Sequence, residues 1–313
     1  MKKVFIYLNL WLRPIIYHAI KQDNLTTFSI GNRWKNAGNR PAGGVPCNFI
    51  MWGLQSVQFQ RPNKIIKVEH IMPTTVQLFV TCIIDTLYPE VGEAVVRVLN
   101  KSGVSVDFPR DQTCCGQPAF NAGMRSEARK MAEKTIQVFE QCPGDIIIPS
   151  GSCTGMVKHG YLELFADDPA WLERAQNLAD RTYELTQYLV DVLGVTDLGA
   201  KYEEKLTYHP SCHLLREVGI DHQPQILLDQ VQGAGIVPLQ NREECCGFGG
   251  LFSIEHPEIS KAMLDRKIEN FLSSGASFLV ACDAGCIAHI NGGLHRRKNH
   301  QKAVHIAEIL DKS

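Results

Sequence analysis

The sequence predicts an α/β protein of two pseudo-symmetric repeats, each a parallel sheet flanked by helices with cysteine sites at the carboxyl ends of its strands. Four cysteines recur in the same order at nearly constant offsets: Cys82 precedes Cys212 by 130 residues, Cys114 and Cys115 precede Cys245 and Cys246 by 131, and Cys153 precedes Cys286 by 133. Short apolar runs alternate with amphipathic stretches through both halves, the pattern of a parallel sheet covered on both faces. The repeated cysteines lie just past the apolar runs, where open sheets of this class gather their ligands.

The elements follow in order. "VQLFV" (76–80) and "KLTYHP" (205–210) read as buried strands leading to Cys82 and Cys212. "PEVGEAVVRVLNKSG" and "PQILLDQVQGAG" then read as helices; in the first, Val91, Ala94, Val95, Val98 and Leu99 share one face and Gly103 ends it. "VSVDFP" (104–109) and "GIVPL" (235–239) are the next strands, each followed by a double-cysteine turn. The amphipathic helices "SEARKMAEKTIQVFEQC" and "PEISKAMLDRKIENFL" come next, and "DIIIPS" (145–150) and "SFLVAC" (277–282) close the units as continuous apolar strands. The first cysteine-rich repeat is assigned to residues 72–200 and the second to 201–313.

Residues 1–71 stand apart. They hold ten Lys/Arg against two Asp/Glu and three of the four tryptophans, and they sustain no clear period. They are expected to be a non-native or disordered extension, with Met72 as the physiological start; the rival reading is a basic membrane-surface or partner-binding arm. The remainder, with twenty-two Lys/Arg against thirty-one Asp/Glu, is mildly acidic, which argues against a nucleic-acid grip. The run "MKKVFIYLNLWL" is cut by Arg13-Pro14 and is shorter than the ~20 apolar residues of a spanning helix, and no later segment approaches that length, so neither a secretory signal nor a transmembrane segment is expected. An odd total of eleven cysteines points to a reducing cytoplasm, where spaced cysteines are metal or redox sites before they are disulfides.

Four thiolates suit zinc, but zinc sites take cysteines in pairs two to four residues apart, so that one ion is approached from different directions. Neighbouring residues, with Cα atoms about 3.8 Å apart, can instead each reach a different iron of a polynuclear cluster. Gly116 and Gly247 allow the tight turn such a core requires. Spacing therefore favours an iron-sulfur cluster; zinc, thiol-disulfide exchange and plain burial stay open. Cys47 lies in the N-terminal segment outside both repeats and Cys142 sits at a helix end with no counterpart in the second half, so both are read as incidental.

The motifs "C…CCGQPAFNAG…SGSC" and "YHPSCHLLR…CCGFGG…CDAGC" resemble the duplicated Cys-Cys-Gly cysteine-rich domain found in the B-type subunit of heterodisulfide reductase and in the glycolate oxidase iron-sulfur subunit. The chain is most similar to the lactate-utilisation protein A family over about residues 72–313. The resemblance implies an iron-sulfur subunit, not active alone, of a cytoplasmic oxidoreductase complex converting L-lactate to pyruvate. It also implies partners of the lactate-utilisation B and C types, through which the chain would lie peripheral to the inner face of the membrane. The related alternatives are a subunit for another 2-hydroxy acid or of heterodisulfide type; from a different class comes a zinc-stabilised binding module. The implied cluster ligands are Cys82, Cys114, Cys115 and Cys153, then Cys212, Cys245, Cys246 and Cys286. The full family pattern ends each repeat in Cys-x-x-Cys, whereas Ser150 and Asp283 stand here at the first of those positions. Four thiolates match a cubane 4Fe-4S core rather than the five-cysteine non-cubane form. Cys282, one residue out of register, is a candidate fifth donor.

His209, His213 and Arg216 flank Cys212 and are the candidate catalytic residues, for proton transfer or carboxylate binding. The competing and favoured role is to orient sulfurs and tune the cluster. His159, His295 and His305 fall on predicted helices with surface or core roles. "CCGFGG" lacks the spacing of a dinucleotide loop and the Lys of a P-loop, so no nucleotide site is expected.

Overall fold

The computed structural model describes residues 75–312, so the 1–71 extension and the Met72 start lie outside the described residues. In the first repeat, β1 (Thr75–Leu78) leads into α1 (Cys82–Leu87) and α2 (Pro89–Lys101). Next come β2 (Ser105–Asp107), α3 (Arg125–Phe139), β3 (Ile146–Ile148), α4 (Pro169–Asp180) and β4 (Thr182–Glu184). The second repeat runs β5 (Lys205–His209), α5 (His222–Asp229), β6 (Gly235–Ile236), α6 (Pro257–Ser273), β7 (Phe278–Ala281), α7 (Ala284–Arg296), β8 (Lys302–His305) and α8 (Ile306–Leu310). Every strand pair is parallel, and the sheets have the same order, β2-β1-β3-β4 and β6-β5-β7-β8. The chain therefore leaves the first and third strands of each sheet toward opposite sides, which opens a crevice at their carboxyl ends.

Side-chain alternation along the strands separates three cores. Val76, Leu78, Ile147, Leu206, Tyr208 and Val280 enter one core common to both repeats, closed by α2 and α8. Phe79, Ile146 and Ile148 face a second core under α3, while Leu279 and Ala281 face a third under α6. The predicted stripe on α2 is buried, with Val95, Val98 and Leu99 each 0 % exposed; each such side chain contributes about 1.5–3 kcal/mol. Two sequence expectations change. The "GIVPL" strand is paired only at Gly235–Ile236, since Pro238 has no N–H for a ladder. His305, expected on a helix, ends β8 and caps α8: its Nδ1 accepts from Ala307 N, so its Nε2 donates across the repeats to Pro149 O at 3.0 Å.

The loops after β3 and β7 meet each other. Asp283 Oδ2 accepts from Ser152 N (2.8 Å) and Ser150 Oγ (3.3 Å), its Oδ1 accepts from Gly285 N (3.0 Å), and Gly151 N donates to Cys282 O (3.2 Å). A Cβ on Gly151 would lie 2.6 Å from Leu214 Cβ, so the loop sits directly on the second repeat. Ser150 and Asp283, the residues at the equivalent positions of the two repeats, thus form a joint between them.

Glu184 ends β4 in the register that His305 occupies in β8. Its Oε2 accepts from Thr186 N, Thr186 Oγ and Gln187 N, but its buried Oε1 has no partner. Burial pushes its carboxyl up to about 7. The folded state then holds a proton that the unfolded state has lost, so Glu184 costs stability as pH rises from about 4.5 through 7. Glu184→Gln, which keeps the accepting oxygen, is expected to melt higher than the wild type at pH 8 and to match it near pH 4.5. Thermal scans at the two pH values check this, and an unchanged difference between them would refute it.

Candidate metal centre

Each quartet of cysteines assembles from three loops. In the first repeat, Thr81 takes φ 73°, a strained value for a β-branched residue, immediately before Cys82 opens α1; such strain costs about 1–3 kcal/mol and concentrates at functional sites. Gln112 ties the double-cysteine loop to the end of β1 by accepting from Val80 N and donating to Leu78 O and Pro109 O. Tyr161 Oη donates to Cys115 O at 2.9 Å. These contacts bring Cys82 Sγ to 3.5 Å from Cys114 Sγ and Cys115 Sγ to 3.3 Å from Cys153 Sγ. All are free thiols, far beyond the ~2.05 Å of a disulfide.

The second quartet follows the same plan with different supports. Cys212 Sγ lies 3.9 Å from Cys245 Sγ, and the ligand atoms of His209, Cys246 and Cys286 all lie within 4.8 Å of one another. Lys267, fully buried in α6, holds the preceding loop by donating to Asn241 O and Arg242 O. At the rim, Arg216 donates to Glu243 O (2.9 Å), and His213 lies 3.7 Å from Cys212 Sγ and 3.6 Å from Glu217.

Gly116 (φ +90°) and Gly247 (φ +87°) make the turn that no other residue adopts cheaply. The group that crowds Gly247 is the backbone of α6: an added Cβ would lie 2.6 Å from Ser260 O. Helix packing, as well as the turn, therefore fixes the glycine.

The donor chemistry fits a bound metal centre. Cys114 is held well below its usual pKa by the neighbouring thiols of Cys115 and Cys82, and Cys245 likewise by Cys212 and Cys246. Cys114 and Cys245 are thus the members of each quartet most readily deprotonated, the form in which a cysteine binds a metal. The outer members Cys82 and Cys212 are pushed up, first by donating to those sulfurs and then by burial. Two unit charges about 4 Å apart repel by about 4 kcal/mol at an effective dielectric near 20, so four thiolates need a cationic core between them. In the second repeat His209 and Ser211 are buried with no hydrogen-bond partner on His209 Nδ1, His209 Nε2 or Ser211 Oγ. Burial, then the charge of Lys267, lowers the His209 pKa to about 3, leaving a neutral ring.

The other predicted residues fall elsewhere. Cys282 points into the core common to both repeats, beside Tyr208 and not toward Cys246 and Cys286. Cys142 donates to Val138 O on α3. His159 and His295 are exposed, and Cys47 lies outside the described residues. Gln112, Tyr161 and Lys267 were not singled out from sequence; apart from the bond of Gln112 to Pro109 O, their contacts span 25 to 46 residues, with no local pattern to mark them. Among the described residues no helix is long and apolar enough to cross a membrane.

The cysteine-rich domain family matches twice, over residues 76–158 and 206–291. A lactate utilization protein A from an Exiguobacterium species is 50% identical over 237 residues, covering 75% of this chain and 96% of that protein. Lactate utilization protein A 2 of Bacillus cereus is 46% identical over 237 residues, 76% of this chain and 98% of its own. Lactate utilization protein A of Oceanobacillus iheyensis is 47% identical over 236 residues, 75% and 96% respectively. Among solved structures, an aspartate racemase homologue from Pyrococcus horikoshii covers 77% of this chain and 96% of its own at a TM-score of 0.29 and 10% identity, too weak a likeness to bear on the fold. A duplicated cysteine-rich domain, matched by these relatives over nearly their whole length, decides the matter of kinship: the chain belongs to the lactate utilization protein A family.

Proposed function

We propose that the chain is the iron-sulfur, electron-transferring subunit of a complex that oxidises L-lactate to pyruvate. The observation that carries this reading is the pair of cysteine quartets, each drawn from three separate loops at the strand ends. In each, adjacent cysteines face separate partners: Cys114 meets Cys82 while Cys115 meets Cys153. That divergence suits the separate irons of a cluster better than one zinc ion. The lactate substrate comes from the names of the relatives.

When bound, a 4Fe-4S core in each quartet would supply one-electron acceptance and release. The eight cysteines would hold it, and the buried positions of Cys114, Cys115, Cys153, Cys246 and Cys286 would keep water from most of the sulfur. Lactate oxidation releases two electrons and two protons, so companion subunits of the B and C types must supply the remaining machinery. Arg216 is exposed beside Cys212, with one nitrogen on Glu243 O and others available to a carboxylate; His213 adjoins it. These two would bind the acid or relay a proton at the rim, in a cytoplasmic complex.

The test is anaerobic purification with iron, zinc and acid-labile sulfide analysis, followed by visible spectra on adding L-lactate to the chain with its co-purified partners. The reading expects a coloured protein with iron and sulfide whose absorption bleaches with L-lactate only when partners are present. Colourless protein with stoichiometric zinc would replace it with the binding-module reading, and bleaching by a different 2-hydroxy acid alone would change the substrate.

A further inference from the structure

The two repeats differ most sharply at one strand position. His209 ends β5, and alternation turns it, with Thr207, away from the core that holds Leu206 and Tyr208 and toward the face of Cys246 and Cys286. The residue at the same place before Cys82 is Phe79, whose ring packs on Phe139 at 5.1 Å. One repeat therefore closes its sulfur site with hydrocarbon, the other with an imidazole.

That imidazole lacks partners. His209 is 0 % exposed, and neither ring nitrogen has a hydrogen-bond partner among the described residues. A buried polar group left unpaired costs about 1–3 kcal/mol. A phenylalanine, which the first repeat tolerates, would avoid that cost. The ring is aimed at sulfurs, with a nitrogen within 4.8 Å of those of Cys246 and Cys286.

Resting on the reading that each quartet holds a metal centre, we infer that His209 is itself a ligand of the second centre. It acts beside Cys212, Cys245, Cys246 and Cys286 as a fifth donor, one more than the four terminal positions of a cubane, so one iron of the second centre takes two protein ligands, whereas the first centre is held by four cysteines alone. The two centres of the chain are then chemically distinct, with mixed sulfur and nitrogen ligation in one and all-sulfur ligation in the other.

The experiment uses the full chain, purified anaerobically from cells fed 15N-histidine, reduced and studied by pulsed EPR alongside iron and sulfide analysis. A directly bound 15N should appear on one centre, persist in His213→Gln and in His289→Gln, the latter a histidine of α7 whose Nε2 lies 3.3 Å from Ser260 Oγ, and vanish in His209→Phe while the first repeat keeps its iron. Full iron and sulfide without a directly bound nitrogen would overturn the inference and leave the metal-centre reading intact. So would a bound nitrogen lost in His213→Gln or retained in His209→Phe. Protein without iron would end both. Should His209→Phe fail to fold, the labelled wild type and the other two variants still decide by elimination.

Discussion

Cys246→Ala is expected to strip the iron from the second repeat, roughly halving the iron and sulfide per chain, and to lower lactate-dependent reduction by the assembled complex by more than ~100-fold. Cys246 is 1 % exposed and lies in the middle of its sulfur chain, pushed up by Cys245 and Cys286 on either side. Its loss leaves neighbours without the sulfur that links them, whereas losing a supporting residue outside the ligand set typically costs only ~10–100-fold. Cys245→Ala should behave alike, and Cys115→Ala should empty the first repeat instead. Cys142→Ala is the control, since its thiol only donates to Val138 O. Metal analysis and visible absorption read the result. A Cys142→Ala protein as depleted as the others would refute the ligand assignment.

The second large effect is one of stability. Asp283→Ala should cost about 3–4 kcal/mol, because it removes the acceptor of Ser152 N, Ser150 Oγ and Gly285 N from a site only 5 % exposed. In a domain of this size that corresponds to a drop of roughly 10 °C in melting temperature. Asp283→Asn, which keeps one accepting oxygen, should fall between. Differential scanning calorimetry on the anaerobic protein measures it, and an alanine variant melting within a degree of wild type would show that the joint carries no weight.

The sequence made the duplication legible because cysteines mark the same three loops in both halves, and their offsets stay between 130 and 133 residues. It also disclosed the strands that lead to those loops, whose apolar runs are continuous. The fourth strand of each sheet was harder to see: β4 has three residues and β8 four, and each is defined by pairing with β3 or β7 rather than by its own composition. In the site, the eight cysteines were visible, while their supports were not. Gln112 and Lys267 do corresponding work in the two repeats, tethering the loop before the double cysteine, but with different chemistry and from different elements. No internal alignment could pair them. His209 stood in a quoted motif, yet only strand alternation assigns its face.

Ser150 and Asp283 occupy equivalent positions, and they bond to each other. An ancestor formed by two identical single-repeat chains would have set the same residue against itself across its symmetry axis: serine facing serine, aspartate repelling aspartate, or cysteine facing cysteine. Fusion into one polypeptide released that constraint, because a donor could arise on one side and an acceptor on the other. The joint is thus a bond that two unlike halves can make and two identical ones cannot. It also makes the tandem arrangement hard to reverse, since neither half carries the partner its own loop requires.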